Sequence, residues 1–164
     1  MATTLAAATL TITINESVTI NGKNKGDSSI ITISGIKEVL RRTVTVTTTE
    51  TNLVYFPSNL AALGSVPALC GAFDSAKVRY MRITNKDDTN HVMLTFKDED
   101  NTEFRIKVDA GHSFIYPGDN SGGVVDTMKA NGSALASGLA DLYLCTADAD
   151  TASCDIEVYV AIAS

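Results

Sequence analysis

The sequence predicts an all-β fold: one antiparallel β-sandwich domain over residues 1–164, of the jelly-roll or Greek-key kind. The first observation is a period-two alternation of apolar and polar residues, which gives a strand one buried and one solvated face. It is clearest over 102–109, where Phe104, Ile106 and Val108 share one face. The second is that about ten such segments recur, at intervals of roughly 8 to 15 residues, between turn-forming clusters. The third is size, since 164 residues with 45% hydrophobic content can bury a core without disulfides.

The first half of the chain predicts four short strands. In the first of them, Leu10, Ile12 and Ile14 alternate with threonines, whose branched side chains suit a pleated sheet. Residues 21–27 are a cluster of turn formers, and Gly35 is expected to end the second strand. The other predicted strands of this half lie at 31–33, at 39–46 (with Val44 and Val46 facing inward) and at 53–56.

The second half predicts more regular strands, joined by short acidic turns as antiparallel connections are. Residues 57–77 are expected to form a long connection that crosses between sheets, with at most one short helix near 58–64, because Ala, Leu and a Ser58 or Asn59 cap permit a helical turn. We expect the last two strands to pair as a hairpin. The predicted strands are 78–84, 91–97, 102–109, 112–116, 124–128, 142–145 and 154–162, and in the last of these Ile156, Val158, Val160 and Ile162 share a face.

Charge and the N-terminal segment limit the expected classes of partner. The net charge is −6 and the pI is about 4.8, and an acidic surface repels phosphate backbones, so we expect no nucleic-acid partner. Arg41 and Arg42 are the only adjacent basic residues, and they lie within a predicted strand. The first ten residues lack the positive start of a signal peptide, and no apolar run approaches the roughly 18 residues of a membrane helix. We therefore expect a protein made in a cytoplasm and left soluble, with no membrane partner.

The three cysteines are too few and too widely spaced for a disulfide scaffold or a zinc site. Cys145 and Cys154 end and begin two predicted strands that an acidic turn joins, so they could face each other across a hairpin and form a disulfide. The alternative is that both act as small apolar residues at the ends of strands.

No set of residues in the sequence predicts catalysis. His91 and His112 lie in separate predicted strands, without a second histidine or carboxylate at metal-ligand spacing. Ser113 follows His112 directly, and neighbours on a strand point to opposite faces, so these two side chains cannot share a proton. The acidic turns at 98–101 and 148–150 offer oxygen ligands, yet neither has the length or central glycine of an EF-hand calcium loop. We expect no enzyme, no catalytic or metal-binding residue and no cofactor.

Several segments resemble small structural proteins of tailed bacteriophages, most closely those of aquatic phages. The similar segments are 78–85, 91–96 and 104–115, together with 149–152 before the last strand and the Thr- and Ala-rich first strand. The resemblance extends over most of residues 9–162. It implies a β-sandwich component of the virion, placed on the capsid as a decoration or cement protein or in a tail or fibre.

The expected function is therefore that of a structural virion protein, which acts through the area of its contacts with neighbouring proteins rather than through catalysis. A capsid decoration or cement protein is the leading hypothesis, with the major capsid protein, other virion proteins and copies of itself as partners. The alternative is an adhesion or receptor-binding module of the tail or fibre, with a sugar or protein ligand at loops 57–77 and 117–123. Tyr159 lies on the outward face of the last predicted strand, where we expect it to be exposed or at an interface, the alternative being a tyrosine packed at a sheet edge.

Overall fold

The computed structural model describes residues 6–57, 68–99, 102–116 and 142–163. These residues form strands and connections, and no helix occurs among them. The helix predicted near 58–64 and the strand predicted at 124–128 lie outside the described residues. The strands are β1 (Ala8–Asn15), β2 (Thr19–Ile20), β3 (Lys23–Asn24), β4 (Ser28–Val46), β5 (Thr51–Tyr55), β6 (Gly71–Ala72), β7 (Val78–Asn85), β8 (Val92–Asp98), β9 (Glu103–Val108), β10 (Ser113–Tyr116), β11 (Leu142–Ala149) and β12 (Cys154–Ala163).

The strands form two five-stranded sheets and one small hairpin. The first sheet has the order β1-β4-β12-β7-β10, and the second has the order β6-β5-β11-β8-β9. Strands β2 and β3 pair only with each other. All neighbouring strands are antiparallel except β5 and β6, which are parallel. The predicted antiparallel β-sandwich is confirmed, and most predicted strands agree with the observed ones to within one or two residues.

The pairing of the strands is nested. Among the eight strands β4, β5 and β7–β12, strand β4 pairs with β12, β5 with β11, β7 with β10 and β8 with β9. Each pair is thus enclosed by the previous pair along the chain. This nesting places β11 in the second sheet and β12 in the first. The predicted hairpin between the last two strands is therefore wrong, because the short turn that joins them crosses from one sheet to the other.

The main core lies between the two sheets. Ile156, Val158 and Val160 on the inner face of β12 are completely buried, as the alternation in the sequence predicts. From the second sheet, the ring of Phe96 stacks on Phe104 at 4.9 Å and reaches across to Phe114 of the first sheet at 4.8 Å between ring centroids. These contacts join the two layers. The prediction of a single domain for the whole chain stays a prediction.

Strand β4 is one long strand rather than the two predicted. Gly35 does not end it; it adopts a positive φ of 78°, which a glycine tolerates, at a bulge in the pairing with β1. A second register shift occurs where β4 meets the end of β12, between the pairs Ile162–Glu38 and Ala163–Ile36. Each bulge adds one residue to β4 and reverses its alternation. As a result, Ile33 and Ile36 pack on the outer face of the first sheet, whereas Leu40, Val44 and Val46 pack in the main core.

Candidate interaction surface

A two-stranded ribbon, made of β1 and residues 28–36 of β4, carries the most exposed part of the described chain. Its distal part, residues 13–30, is called the finger below. Every residue of the finger is exposed except Gly26, which is half-buried. The finger nevertheless carries four large apolar side chains, with exposed fractions of 40% for Ile14, 44% for Val18, 54% for Ile20 and 66% for Ile30. Exposed apolar side chains concentrated in one segment indicate an interaction surface, and the register places Ile14 and Ile30 on opposite faces of the ribbon.

Hydrogen bonds give the finger a defined shape without a core. The Glu16 N–H donates to the Asp27 carbonyl at 2.8 Å, and the Lys25 N–H donates to the Val18 carbonyl at 2.8 Å. At the tip, Asn21 and Gly22 have φ angles of 51° and 76°, which is the pair of positive values that a type I′ hairpin turn requires. Asn-Gly is the residue pair that adopts this turn most readily, so the sequence itself specifies the turn.

Gly26 is needed for the close approach of the two sides of the finger. A Cβ atom added at Gly26 would lie 1.9 Å from the carbonyl oxygen of Glu16. Any other residue here would push the two sides apart. The backbone of the finger is therefore preorganised before any partner binds.

The base of the ribbon packs on the outer face of the first sheet. Leu10, Ile12, Ile31 and Ile33 form a small second core there with Tyr80, Ala161 and Tyr159. The rings of Tyr80 and Tyr159 meet edge to face at 5.8 Å. Tyr159 does point outward, as predicted. It lies neither at an open interface nor at a sheet edge, since β12 is the central strand and the ribbon packs against it.

A buried carboxylate lies beside this second core. The Glu157 side chain is only 7% exposed and is bound on both sides, by Arg41 at 2.7 Å and by Arg82 at 2.7 Å. The hydrogen bond from Arg41 and the charges of both guanidinium groups hold the pKa of Glu157 below its ordinary value of 4.5. Arg82 also lies over the ring of Tyr159, at 5.6 Å from the centroid. The outer face is thus held together by charge as well as by apolar contact.

A cleft of about 340 Å³ opens at one end of the sandwich, beside the base of the ribbon. Ala72, Phe73, Ile162 and Ala163 supply its apolar lining. Its charged lining comes from two residues of β4 and two residues before β7, namely Lys37, Glu38, Asp74 and Lys77. The cleft is thus apolar inside and carries charges of both signs around it.

The two histidines do not form a site together. Nδ1 of His91 lies 3.6 Å from a carboxylate oxygen of Asp150, a neighbour that is remote in the sequence. Nδ1 of His112 is instead 2.9 Å from the carbonyl oxygen of Ala110. Within residues 6–57, 68–99, 102–116 and 142–163, no group of three or more His, Cys, Asp or Glu side chains has the geometry to hold a metal ion.

The carboxylates of the acidic turns are directed to separate partners. Asp98 is buried and accepts a hydrogen bond from the N–H of Thr102 at 2.6 Å. Asp148 forms an ion pair with Arg105 on the outer face of the second sheet. Residues 100 and 101 lie outside the described residues, as do residues 58–67 of loop 57–77 and all of loop 117–123, so the sugar or protein ligand expected there stays a prediction.

All three cysteines are free and buried. Cys145 and Cys154 lie in different sheets rather than across a hairpin, so the disulfide considered from the sequence does not form and the alternative of small apolar residues holds. Burial raises the pKa of the Cys70 thiol to about 11 and also raises that of Cys145. A protonated, buried thiol is a poor nucleophile.

No protein-family model, curated protein or solved structure matches this chain. Among the described residues, no helix is long and apolar enough to span a membrane.

Sequence reasoning missed the finger as a surface. The sequence predicts a turn cluster at residues 21–27 and leaves the contacts of Val18 and Ile20 open. The signal was the Asn21-Gly22 pair, which adopts a two-residue hairpin turn readily, with Val18 and Ile20 just before it.

Proposed function

We propose that this protein is a structural component of a bacteriophage particle, a capsid decoration or cement subunit that acts by protein–protein contact. Its partners in this proposal are the major capsid protein or other virion proteins. The observation that carries the proposal is the finger, which presents four large apolar side chains to water on a hydrogen-bonded frame. The resemblance of the sequence to phage structural proteins is the reason for proposing a bacteriophage as the particle.

The energetics of the finger support a binding role. Complete burial of a Val or Ile side chain stabilises a contact by about 1.5–3 kcal/mol, so even partial burial of these four is a substantial driving force. The finger is already ordered, which lowers the entropy lost when a partner binds. A surface loop without a binding role would gain nothing from apolar side chains at these positions.

The nested strand pairing also supports the proposal. Eight antiparallel strands paired first with last, and so on inward, correspond to a jelly roll, an architecture of viral capsid domains and of lectins. Fold alone does not decide function. The finger favours a protein contact surface, and for this reason the capsid role is preferred here to a sugar-binding role.

Binding to particles tests the proposal. The labelled protein is added to heads of the phage that encodes it, prepared from a strain in which the gene is deleted, and bound protein is measured after sedimentation. We expect saturable binding at a fixed number of copies per head, and no binding to heads that already carry the subunit. A lack of saturable binding would contradict the capsid role, and antibody label found only on tails of complete particles would favour the tail or fibre module.

A matched pair of variants tests the contribution of the finger. Ile30→Asp places a charge on its most exposed apolar residue, and Leu69→Asp makes the same kind of change at an exposed apolar residue outside the ribbon. We expect Ile30→Asp to weaken binding to heads at least about tenfold, equivalent to about 1.4 kcal/mol. Leu69→Asp should bind as the wild type does. Equal binding by both variants would remove the finger from the contact.

A further inference from the structure

We propose that strand β1 pairs with β1 of a second copy of the same chain through its free edge, so that the two ribbons form one four-stranded sheet. Among the described residues, β1 lies at the end of the first sheet and pairs only with β4. An edge strand presents a row of unpaired N–H and C=O groups, which another strand can bind. This inference concerns contact between copies and does not require the particle contact proposed above.

The backbone groups of Thr11 and Thr13 face this free edge. In an antiparallel pair, residues whose backbone groups bond to the partner strand alternate with residues whose groups point away from it. The Glu16 N–H donates to the carbonyl of Asp27, which lies directly opposite, at 2.8 Å. The register is regular from there back to Thr11. Even-numbered residues of this part of β1 therefore bond to β4, whereas Thr11 and Thr13 direct their N–H and C=O groups away from it.

A gap of about 290 Å³ lies along the same edge, between β1 and the outer face of the first sheet. It is lined by residues 10–13 of β1 and by Tyr80, Arg82 and Tyr159. Leu10 and Ile12 pack in the second core, so their side chains face the sheet. The only charged side chain of this lining, Arg82, already binds the Glu157 carboxylate. The gap therefore suits apolar side chains of an added strand rather than a charged ligand.

The other edge strands of the described chain are short or protected by charge. Strand β6 has two residues and β10 has four. Strand β9 exposes Glu103, Arg105 and Lys107, and charged side chains on an edge discourage pairing with another chain. Strand β1 has eight residues and no charged side chain. Because the net charge of −6 makes copies repel each other, this uncharged edge is the place where two copies can pair at the least cost.

The alternation of β1 makes the strand complementary to itself. Only odd-numbered residues have backbone groups free for pairing, so threonines of one copy must lie opposite threonines of the other. An antiparallel pair centred on Ile12 places Thr11 opposite Thr13 and Leu10 opposite Ile14. Cross-strand Thr–Thr pairs stabilise a sheet, and Ile14, which is 40% exposed in a single chain, gains an apolar neighbour. A second copy thus supplies the strand that this edge requires, and the resulting two-fold pair is closed.

Charge complementation between two double variants tests the inference. Thr11 and Thr13 are exposed, and replacing both by Lys, or both by Glu, places like charges opposite each other across the contact, which is destabilising. We expect the wild type to form dimers by sedimentation equilibrium, and each double variant alone to dimerise at least about tenfold more weakly. An equimolar mixture of the two should dimerise at least as well as the wild type, because every cross-strand pair then has opposite charges.

Hydrogen exchange distinguishes strand pairing from other kinds of dimer. Exchange at the Thr11 and Thr13 amides should slow at least about tenfold as the protein concentration is raised, whereas the Ile12 amide, which already bonds to β4, should change little. Thr11→Pro removes one N–H group of the free edge and no bond to β4, since proline is tolerated on an edge strand whose N–H faces solvent. This variant should dimerise more weakly and unfold at nearly the wild-type temperature.

Thr32→Lys is the matched control, because Thr32 is exposed and lies opposite Thr11 on β4, one strand away from the contact. It should dimerise as the wild type does, and thermal unfolding of each variant reports whether the sandwich is intact. A wild type that is monomeric at its highest soluble concentration overturns the inference, as does a mixture of folded double variants that stays monomeric. A dimer in which the Thr11 and Thr13 amides exchange as fast as in the monomer also overturns it, whatever the result with phage heads.

Discussion

The carboxylate of Glu157 on β12 accepts a hydrogen bond from the guanidinium of Arg82 on β7, at 2.7 Å, on the face of the first sheet where the ribbon packs. Arg41 on β4 binds the other oxygen of the same carboxylate. One buried acid therefore links three neighbouring strands through their side chains, next to the second core that holds the base of the ribbon.

Replacement of Glu157 by Gln should destabilise the fold and change its response to acid. Charge-assisted hydrogen bonds contribute about 1.5–3 kcal/mol each, and Gln keeps only part of this contribution, so we expect a loss of about 2 kcal/mol at neutral pH. The folded pKa of Glu157 lies below 4.5, so its contribution is complete above the unfolded value and is lost as pH falls through the folded pKa. The difference between wild type and Glu157→Gln should therefore shrink below about pH 4.5.

Urea unfolding at several pH values measures this difference. Glu103→Gln is the matched control, because Glu103 pairs with Lys97 at 3.5 Å while being 53% exposed. Exposed ion pairs contribute little, so this variant should lose less than about 0.5 kcal/mol. Equal losses in the two variants would contradict a special role for Glu157.

Replacement of Asn85 by Ala should destabilise the end of the sandwich where β7 passes to β8. The Asn85 amide is fully buried and donates to the carbonyl oxygens of Asn90 at 2.8 Å and Val108 at 3.2 Å, while its oxygen accepts from the N–H of Asp87 at 3.0 Å. Ala leaves these groups without their partner, at a cost of about 2–3 kcal/mol. Asn85→Asp should be at least as harmful, since a carboxylate would face two carbonyl oxygens. An unfolding midpoint in urea within error of the wild type would refute this account.

Replacement of Gly26 by Ala should loosen the finger and leave the sandwich unchanged. The added Cβ meets the Glu16 carbonyl at 1.9 Å, so the hydrogen bonds of Glu16 and Lys25 across the finger must lengthen or break. Hydrogen exchange at these two amides should be at least about tenfold faster, with no change at β12. Ser29→Ala, an exposed change elsewhere on the ribbon, is the control and should exchange as the wild type does. Unchanged exchange at Glu16 and Lys25 would show that the finger tolerates the extra atom.

The three thiols should be unreactive in the folded protein. Cys70, Cys145 and Cys154 are buried, and burial raises the pKa of each thiol. Alkylation at about pH 8 should modify almost none of them in buffer and all of them in denaturant, as read by intact mass. A Ser29→Cys variant, exposed on the ribbon, should react rapidly in buffer and serves as the control. Since no disulfide forms, reducing agent should leave the unfolding temperature unchanged, and a decrease would contradict the structure.

Local pattern predicted the strands well because side-chain alternation depends only on neighbouring residues. Ile156, Val158 and Val160 are buried as their spacing indicates, and Val44 and Val46 face inward. The prediction that Cys145 and Cys154 face each other across a hairpin is wrong, because a short turn can either close a hairpin or carry the chain to the other sheet. The choice depends on distant strands, since β5 and β8 pair with β11 while β4 and β7 pair with β12.

The candidate surface was harder to predict for a different reason. Gly35 carries the sequence signature of a strand end, yet a glycine at positive φ can also extend a strand through a bulge, and the two cases look alike in the sequence. The finger has apolar residues but no core, so alternation there does not report burial. The cleft joins Lys37 of β4 with Ile162 of β12, residues that are far apart in the chain and meet only through the sheet order.

The paired bulges in β4 make the length of this strand more critical than its composition. Loss of Gly35 would remove the extra residue of its bulge and leave Ile31 and Ile33 in register against Tyr80 and Ala161. Loss of a regularly paired residue such as Thr32 would instead shift the rest of the ribbon by one residue, so that Ile30 would replace Ile31 on the packed face.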